Sequence, residues 1–223
     1  MAAKQIAVAV SLCAAASASS ATALAYSTFS DDADGWQAKN GAVDFQWLGS
    51  GGNFDGYVQA KDQSGDSLWF FSAPAKFLGN KAAAYGGTLS FDLRVITASA
   101  PLEGAYADIQ LIAGDGTQLS FVGALAPAST WTAYQVSMVA GPAWRVGSVD
   151  GPAATAAQMS ATLSNLSSIR IRGDFAQAGE ATALDSVLLT AGPVPEPATV
   201  ALWLLGLGTL LPMCRAGRSA AGR

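Results

Sequence analysis

The stretch LSFDLRV, residues 89–95, decides the fold class. Its leucine, phenylalanine and valine residues alternate with serine, aspartate and arginine, which is the period of two of a strand with one face in a core and the other in water. Residues 106–111 alternate in the same way, and the Gly-Asp-Gly sequence at 114–116 then provides a tight turn into a further apolar run. These features predict antiparallel β-structure with a hairpin over residues 106–121.

The middle of the chain contains more short apolar runs bounded by glycine. Further strand candidates lie at residues 43–47, 134–138, 169–172 and 184–189. Strand parity in the first of them places Trp47 in the core. Only the Ala-rich residues 154–163 predict a helix, and it is short. About eight short strands with Gly-rich turns predict an all-β fold, a jelly-roll β-sandwich with one short helix.

The two ends of the chain hold much of its apolar excess, since 51% of the residues are hydrophobic and only 13% are charged. Lys4 precedes an apolar run at 6–18 and the tripeptide Ala23-Leu24-Ala25. This order is typical of a secretory signal helix, and it predicts export by the secretion machinery with cleavage after Ala25. A retained anchor is the weaker alternative, because the run is shorter than a membrane span requires.

The C-terminal end is apolar from residue 198 to residue 213 and is followed by three arginines, the first being Arg215. It is short for a spanning helix, so we expect only transient residence in the inner membrane, with a cytoplasmic C-terminus.

The sequence VPEPATVALWLLGLGTLL, residues 194–211, followed by Arg215, resembles the PEP-CTERM sorting signal of Gram-negative bacteria, with Pro195, Glu196 and Pro197 as its motif. The resemblance implies recognition and cleavage by an exosortase. It also implies a location on the cell surface, in the outer membrane or in the extracellular matrix. An ordinary C-terminal membrane anchor is the alternative. The expected organisation is a signal peptide (1–25), a β-sandwich (26–192) and a sorting signal (193–223).

The body between these ends has no histidine, and both cysteines of the chain lie outside it, at Cys13 and Cys214. This composition excludes Ser-His-Asp and Cys-His catalysis and zinc sites that need histidine. The body carries 8 basic and 15 acidic residues. Its acidity argues against nucleic acid as a partner and is compatible with sugars and divalent cations.

The sequence LWFFSAPAKFLGNKAAAYGGTLSFDLRV, residues 68–95, resembles the opening of the laminin B domain, also called laminin IV type A. The sequences ATLSNLSSIRIRGDF at 161–175 and ALDSVLL at 183–189 follow in the order of that family, so the resemblance covers roughly residues 29–189. It implies a jelly-roll β-sandwich similar to carbohydrate-binding modules, and it implies no enzyme activity. The cysteine-rich flanks of animal laminins are absent from the sequence.

One candidate site is acidic. Asp31, Asp32 and Asp34 lie close together near the expected mature N-terminus, and Asp185 lies in the expected last strand. Because terminal strands of jelly rolls often pair, we expect these carboxylates to meet and to bind a structural Ca²⁺. A solvated acidic turn is the alternative for the N-terminal group.

A second set of candidates suits a sugar ring, which stacks on exposed aromatic side chains beside polar groups. Strand parity predicts exposure of Tyr106 and Trp131, and Trp144 follows a Gly-Pro turn from which it would project. Arg170 and Arg172 share a strand face and would grip an acidic polysaccharide. The alternative is that the aromatic residues are buried and that the arginines pair with carboxylates on neighbouring strands.

These patterns favour a non-enzymatic surface or matrix protein that is sorted by an exosortase and associates with exopolysaccharide. One alternative is a structural adhesin with protein partners. The other is a glycoside hydrolase that uses two carboxylates, and it is weaker because no acid stands in an apolar sequence setting that would raise its pKa.

Overall fold

The computed structural model describes residues 21–63, 68–97, 100–123, 125–177 and 179–193. These residues form twelve strands and one α-helix. The strands are β1 (Ala23–Ser27), β2 (Gln37–Lys39), β3 (Ala42–Leu48), β4 (Tyr57–Asp62), β5 (Phe70–Ser72), β6 (Thr88–Thr97), β7 (Ile109–Ala113), β8 (Gln118–Phe121), β9 (Thr132–Ser137), β10 (Trp144–Val146), β11 (Leu166–Arg172) and β12 (Ala181–Thr190), and the helix is α1 (Ala156–Ser164).

The strands form two six-stranded sheets. The first sheet has the order β3-β4-β12-β6-β9, with β1 also paired to β12, and the second has the order β10-β8-β7-β11-β5-β2. The strand pairs in both sheets are antiparallel. Buried side chains of both sheets belong to one hydrophobic core. The predicted β-sandwich is therefore confirmed.

The stretch at 89–95 forms most of β6, which lies between β12 and β9. Leu89, Phe91 and Leu93 turn into the core and are almost completely buried, as the alternation predicts. Asp92 turns to the opposite face but is also buried. Parity therefore assigns its direction correctly, and a covering loop, described below, removes it from water.

The predicted hairpin is formed by β7 and β8, which pair from Ile109 with Phe121 to Ile112 with Gln118. The strand begins at Ile109 and not at residue 106. Gly116 has a φ of +86°, and the Asp115 carboxylate accepts a hydrogen bond from the Thr117 amide at 2.8 Å. The Gly-Asp-Gly sequence thus meets the backbone requirement of the turn.

The single described α-helix, α1, starts at a capping box. The Thr155 hydroxyl accepts a hydrogen bond from the Gln158 amide, and the Gln158 side chain accepts one from the Thr155 amide. Such a cap stabilises a helix by about 1 kcal/mol. Met159 and Leu163 are fully buried, so the helix packs against the core, and the predicted short helix is confirmed.

Trp47 departs from the prediction. It is 37% exposed, although strand parity placed it in the core. Asp44 has a φ of +53°, and the pairing of β3 with β4 shifts between Val43 and Gln46. This irregularity breaks the parity that the prediction used. The Trp47 indole donates instead to the Phe29 carbonyl at 2.8 Å.

The ends of the chain are only partly described. Ala23 and Ala25 of the expected cleavage site lie in β1, and Ala25 is buried against β12. The signal helix, the apolar segment at 198–213 and the motif residues Pro195, Glu196, Pro197 and Arg215 lie outside the described residues. Within the described part of the chain, no helix has the length and apolar character needed to cross a membrane.

Candidate functional site

The outer face of the first sheet, meaning the face turned away from the core, carries polar and aromatic side chains. Its centre is the row in which Arg94 of β6 stands beside Ala183 of β12, which in turn stands beside Gln59 of β4. The neighbouring row places Asp92 beside Asp185. Trp131 precedes β9 and stands next to Arg94 on this face.

Tyr57, Arg94 and Trp131 form what we call the aromatic–guanidinium cluster. The Tyr57 and Trp131 rings meet edge to face, with centroids 5.5 Å apart. The Arg94 guanidinium carbon lies 4.7 Å from the Trp131 centroid and 5.1 Å from that of Tyr57. The Trp131 indole donates a hydrogen bond to the Gly51 carbonyl at 3.0 Å. These contacts fix the orientation of a partly exposed tryptophan ring.

The loop at residues 49–56, between β3 and β4, covers part of this face. The Asn53 amide donates to Asp185 at 2.6 Å, and the Asn53 side chain donates to Asp92 at 2.7 Å. The other Asp185 oxygen accepts from the Ser186 amide at 2.6 Å. Phe54 in this loop is 86% exposed. The loop thus donates hydrogen bonds to two buried carboxylates and presents an aromatic ring to solvent.

Burial also affects the titration of this face. It raises the pKa of Asp185, and the charge of the neighbouring Asp92 raises it further. The backbone hydrogen bonds from Asn53 and Ser186 oppose the shift.

Arg172 and Tyr106 meet at a different place, beside a cavity of about 540 Å³ that Leu102, Leu125 and Phe175 also line. The Arg172 guanidinium carbon lies 5.6 Å from the Tyr106 ring and 4.2 Å from that of Phe175. Tyr106 donates its hydroxyl proton to the Glu103 carbonyl.

The arginine pair predicted from the sequence does not act as a pair. Arg172 is buried and forms an ion pair with Asp108 at 2.6 Å, which is the cross-strand alternative stated above. Arg170 is partly exposed and contacts Gln110 at 3.4 Å. The guanidinium of Arg172 is therefore already engaged by a carboxylate.

Trp144 does not project from a loop, contrary to the sequence expectation. It is the first residue of β10 and is 1% exposed. Its indole donates to the Ser137 carbonyl at 3.0 Å, and its ring packs 5.2 Å from that of Phe121. The preceding Gly-Pro turn leads the chain into the sandwich, which explains the burial.

The structure does not bring the four predicted calcium ligands together. Asp34 forms an ion pair with Lys76, and Asp32 accepts a hydrogen bond from the Asp34 amide. With Asp31 they line a surface groove near β1, whereas Asp185 contacts Asn53 and Ser186 on the outer face.

A different acidic group, which we call the buried acidic cluster, consists of Asp62, Asp174 and Glu180. Each offers an oxygen within 4.8 Å of the others, and in the described part of the chain this is the one such group of three or more potential metal ligands. All three side chains are buried. Burial is the main cause that raises the pKa of Asp174 to about 8. The hydrogen bond to Glu180 and the charges of Glu180 and Asp62 contribute to this rise, whereas a hydrogen bond with the Trp69 backbone opposes the shift.

The sequence analysis did not identify the buried acidic cluster. It also did not identify Tyr57 and Arg94 of the aromatic–guanidinium cluster. Asp174 follows the predicted strand at 169–172 and Glu180 precedes the one at 184–189, so their position at strand ends was a usable signal. Arg94 was likewise on the predicted polar side of β6. Asp62 and Tyr57 belong to a strand that the sequence pattern did not predict.

Comparison with known proteins identifies the family of this chain. Residues 70–204, more than half of its length, match the model of the laminin B (Domain IV) family. The chain belongs to the laminin B family. Residues 193–218 match the PEP-CTERM protein-sorting motif. This laminin B protein therefore carries a signal that implies export sorted by an exosortase.

The similar curated proteins are laminin subunits. Laminin subunit gamma-1 of Homo sapiens is 32% identical over 188 residues, which are 80% of this chain and 11% of that protein. Laminin subunit gamma-2 of Homo sapiens is 43% identical over 72 residues, or 31% of this chain and 6% of that protein. The laminin B chain thus spans about a tenth or less of the length of these relatives.

Two solved structures share the sandwich fold. The L4b domain of human laminin alpha-2 has a TM-score of 0.54 at 14% identity and covers 60% of this chain and 79% of its own. An exo-beta-agarase has a TM-score of 0.54 at 12% identity, covering 79% of this chain and 26% of its own. At these identities, the structural similarity supports only the fold of the laminin B chain.

Proposed function

We propose that this protein is a non-catalytic exported surface protein that binds polysaccharide through the outer face of its first sheet. The observation that carries the proposal is the fixed orientation of Trp131, whose partly exposed ring is held by the Gly51 carbonyl, the Tyr57 ring and the Arg94 guanidinium. Because the ring is held before any ligand arrives, little side-chain entropy is lost when a sugar stacks on it.

The surroundings of Trp131 suit a sugar ring. A pyranose has an apolar C–H face and a rim of hydroxyl groups, so its site needs an aromatic surface beside polar atoms. Ala133 is small and exposed and leaves room beside the larger side chains, and Gln59 and Gln135 supply amide groups on the same face. Phe54, on the adjacent loop, offers a second exposed ring.

The sorting signal supports a surface location. We propose that the exosortase acts at Pro195-Glu196-Pro197, that the segment ending before Arg215 resides briefly in the inner membrane, and that the product reaches the cell surface, the outer membrane or the extracellular matrix of a Gram-negative bacterium.

The position of signal cleavage has a structural consequence. Removal of residues 1–25 would leave only Tyr26 and Ser27 of β1 to pair with β12. Mass spectrometry of the exported protein tests the termini. A mature chain that starts at Tyr26 supports the predicted cleavage, whereas one that starts before Ala23 retains the whole strand and contradicts it.

The polysaccharide proposal is tested by affinity electrophoresis of the exported protein in gels that contain the exopolysaccharide of its own host or neutral plant and algal polysaccharides. We expect retention by at least one polymer and a loss of affinity of about tenfold or more in Trp131→Ala, which is typical of a central aromatic contact. Tyr106→Ala is the matched control, because Tyr106 is a partly exposed aromatic residue that lies beside the cavity at Arg172, outside the aromatic–guanidinium cluster.

The outcomes separate the alternatives. Unchanged retention of Trp131→Ala would move the site away from this face, and no retention by any polymer would leave the adhesin alternative. Release of sugar products would support a glycoside hydrolase. The sequence suggested no acid with a raised pKa, and the structure corrects this with Asp174 and Asp185. Both are buried, so a substrate does not reach them, and we expect no product.

A further inference from the structure

The buried acidic cluster joins three separate segments. Asp62 is the last residue of β4 in the first sheet, Asp174 follows β11 of the second sheet, and Glu180 directly precedes β12. The Asp62 amide donates to the Glu180 carbonyl at 3.0 Å, which extends the pairing of β4 with β12 by one step. The cluster therefore lies at one end of the sandwich, where the chain passes from one sheet to the other.

The oxygen atoms of this cluster are only partly satisfied. One Glu180 oxygen accepts a hydrogen bond from the Phe175 amide at 3.0 Å. The other Glu180 oxygen, Oε2, and the Asp174 oxygen Oδ1 are buried without a hydrogen-bond partner among the described residues. A buried acceptor without a partner costs about 1–3 kcal/mol, and more when it is charged, so such groups call for a ligand.

Thr182 adds an independent observation of the same kind. Its hydroxyl is fully buried and also lacks a partner in the described part of the chain. Thr182 is two residues after Glu180 and pairs with Ala60, which is two residues before Asp62. Strand parity therefore turns Thr182, Glu180 and Asp62 to the same side of the sheet. A buried hydroxyl without a described partner thus lies on the same side of the sheet as two of the three carboxylates.

Among the described residues, no side-chain cation forms an ion pair with Asp174 or Glu180. The ion pairs of the described residues are Lys61 with Asp44, Lys76 with Asp34 and Arg172 with Asp108. Arg172 reaches only the backbone carbonyl of Asp174, at 3.1 Å. Isolated carboxylates are expensive to bury, so a proton or a metal cation must compensate them.

We propose that Asp62, Asp174 and Glu180 bind a calcium ion that fastens the two sheets together. Three carboxylates and a hydroxyl form an all-oxygen set, which suits a hard cation. Calcium takes six to eight oxygens in flexible geometry, including both oxygens of a carboxylate, whereas magnesium keeps several waters that a buried site does not accommodate. The exported protein meets calcium outside the cell.

The test uses the exported protein, purified, dialysed against calcium and then treated with EDTA. We expect about one bound calcium per chain before EDTA and none after it. Return of millimolar calcium, but not magnesium, should raise the Tm by roughly 5–10 °C. Glu180→Gln and Asp174→Asn should lose this rise, because each replaces a charged ligand with a neutral amide of the same size.

Two matched variants control for calcium bound elsewhere. Asp44→Asn removes an exposed carboxylate, and Asp32→Asn alters the N-terminal acidic loop that the sequence predicted as a calcium site. Both should keep the full calcium-dependent rise in Tm. If either cluster variant fails to fold, the calcium content and the Tm of the unaltered protein still decide the matter.

Three results would overturn the proposal. The first is the absence of bound calcium together with a Tm that calcium does not change. The second is a calcium-dependent rise that persists in both Glu180→Gln and Asp174→Asn, and the third is its loss in Asp32→Asn. If no calcium is bound, protons shared between Asp174 and Glu180 compensate the charge. Asp174→Asn should then be at least as stable in EDTA as the unaltered protein.

Discussion

Two pairs of buried carboxylates flank β12 and differ in how their oxygen atoms are satisfied. Asp92 and Asp185, on the outer face of the first sheet, accept hydrogen bonds from Asn53 and Ser186. Asp174 and Glu180, at the end of the sandwich, each keep one buried oxygen without a described partner. Each pair consists of two buried carboxyl groups, so the difference lies in the hydrogen-bond donors that the surrounding chain supplies.

The donors of the first pair come from a loop. The loop at 49–56 brings one backbone amide and one side-chain amide to the first pair, and the Trp131 indole holds the same loop through Gly51. At the second pair, the segment between β11 and β12 supplies the Phe175 amide to one oxygen only. Donors complete the first pair within the chain, whereas the second pair requires a proton or an ion.

The largest expected effect comes from a methyl group in the loop. In Gly52→Ala the new Cβ would clash with the Gly56 carbonyl oxygen and would lie 2.6 Å from an Asp185 oxygen, so we expect the loop to move and to release both carboxylates. We expect the free energy of unfolding to fall by about 2–4 kcal/mol in urea titrations. Gly141→Ala is the control, because nothing lies within 4 Å of its Cβ position. Equal losses in the two variants would contradict this role of the loop.

A smaller loss is expected when only one donor is removed. Asn53→Ala deletes the 2.7 Å hydrogen bond to Asp92 and keeps the backbone amide that serves Asp185. Leaving a buried Asp92 oxygen without this donor should cost about 1–2 kcal/mol in the same urea titration. Asp44→Asn, which breaks an exposed ion pair with Lys61, should change stability by no more than about 0.5 kcal/mol. If the two variants behave alike, Asp92 does not depend on Asn53.

The sequence predicts the sandwich and the direction of most side chains, because alternation is a local property that burial imposes on every strand. Leu89, Phe91 and Leu93 show this in β6, and the hairpin of β7 and β8 follows from its turn residues. The sequence does not predict which outward residues a loop will cover. Asp92 points outward as predicted and is buried by residues 49–56, which no strand pattern reveals.

The candidate sites were predicted only in part, for a related reason. Trp131 was recognised because its strand was recognised, whereas Tyr57 lies in β4, which the pattern did not reveal. The buried acidic cluster depends on Asp62 meeting Asp174, more than a hundred positions later in the chain. The pairing of β4 with β12 brings Asp62 to Glu180, and the sequence of β4 carries no local pattern that predicts this pairing.

A gain in the free energy of unfolding is expected from one substitution near Asp174 and Glu180. Thr182→Val keeps the shape of the side chain and removes a buried hydroxyl that has no described partner. In EDTA the free energy of unfolding should rise by up to about 1 kcal/mol, because an unpaired polar group no longer loses its hydration on folding. In calcium the gain should shrink or reverse, since the hydroxyl is then near the ion. A loss of stability in EDTA would show that the Thr182 hydroxyl has a partner. The two pairs of carboxylates would then differ less in their hydrogen bonding.

The smallest expected effect concerns pH. Burial holds the pKa of Asp185 above its ordinary value of 3.8, so the folded protein binds this proton more tightly than the unfolded chain does. The corresponding stabilisation is present in acid and is lost as the pH rises through the raised pKa. The shift is opposed by the amides of Asn53 and Ser186, which favour the charged form, and the effect should therefore be modest.

Asp185→Asn cannot titrate and also loses one amide contact, so the variant should be less stable throughout. The test is the slope: between about pH 4 and pH 7, the stability of the unaltered protein relative to Asp185→Asn should decline. A relative stability that rises over this interval would mean that the backbone hydrogen bonds to Asp185 outweigh its burial.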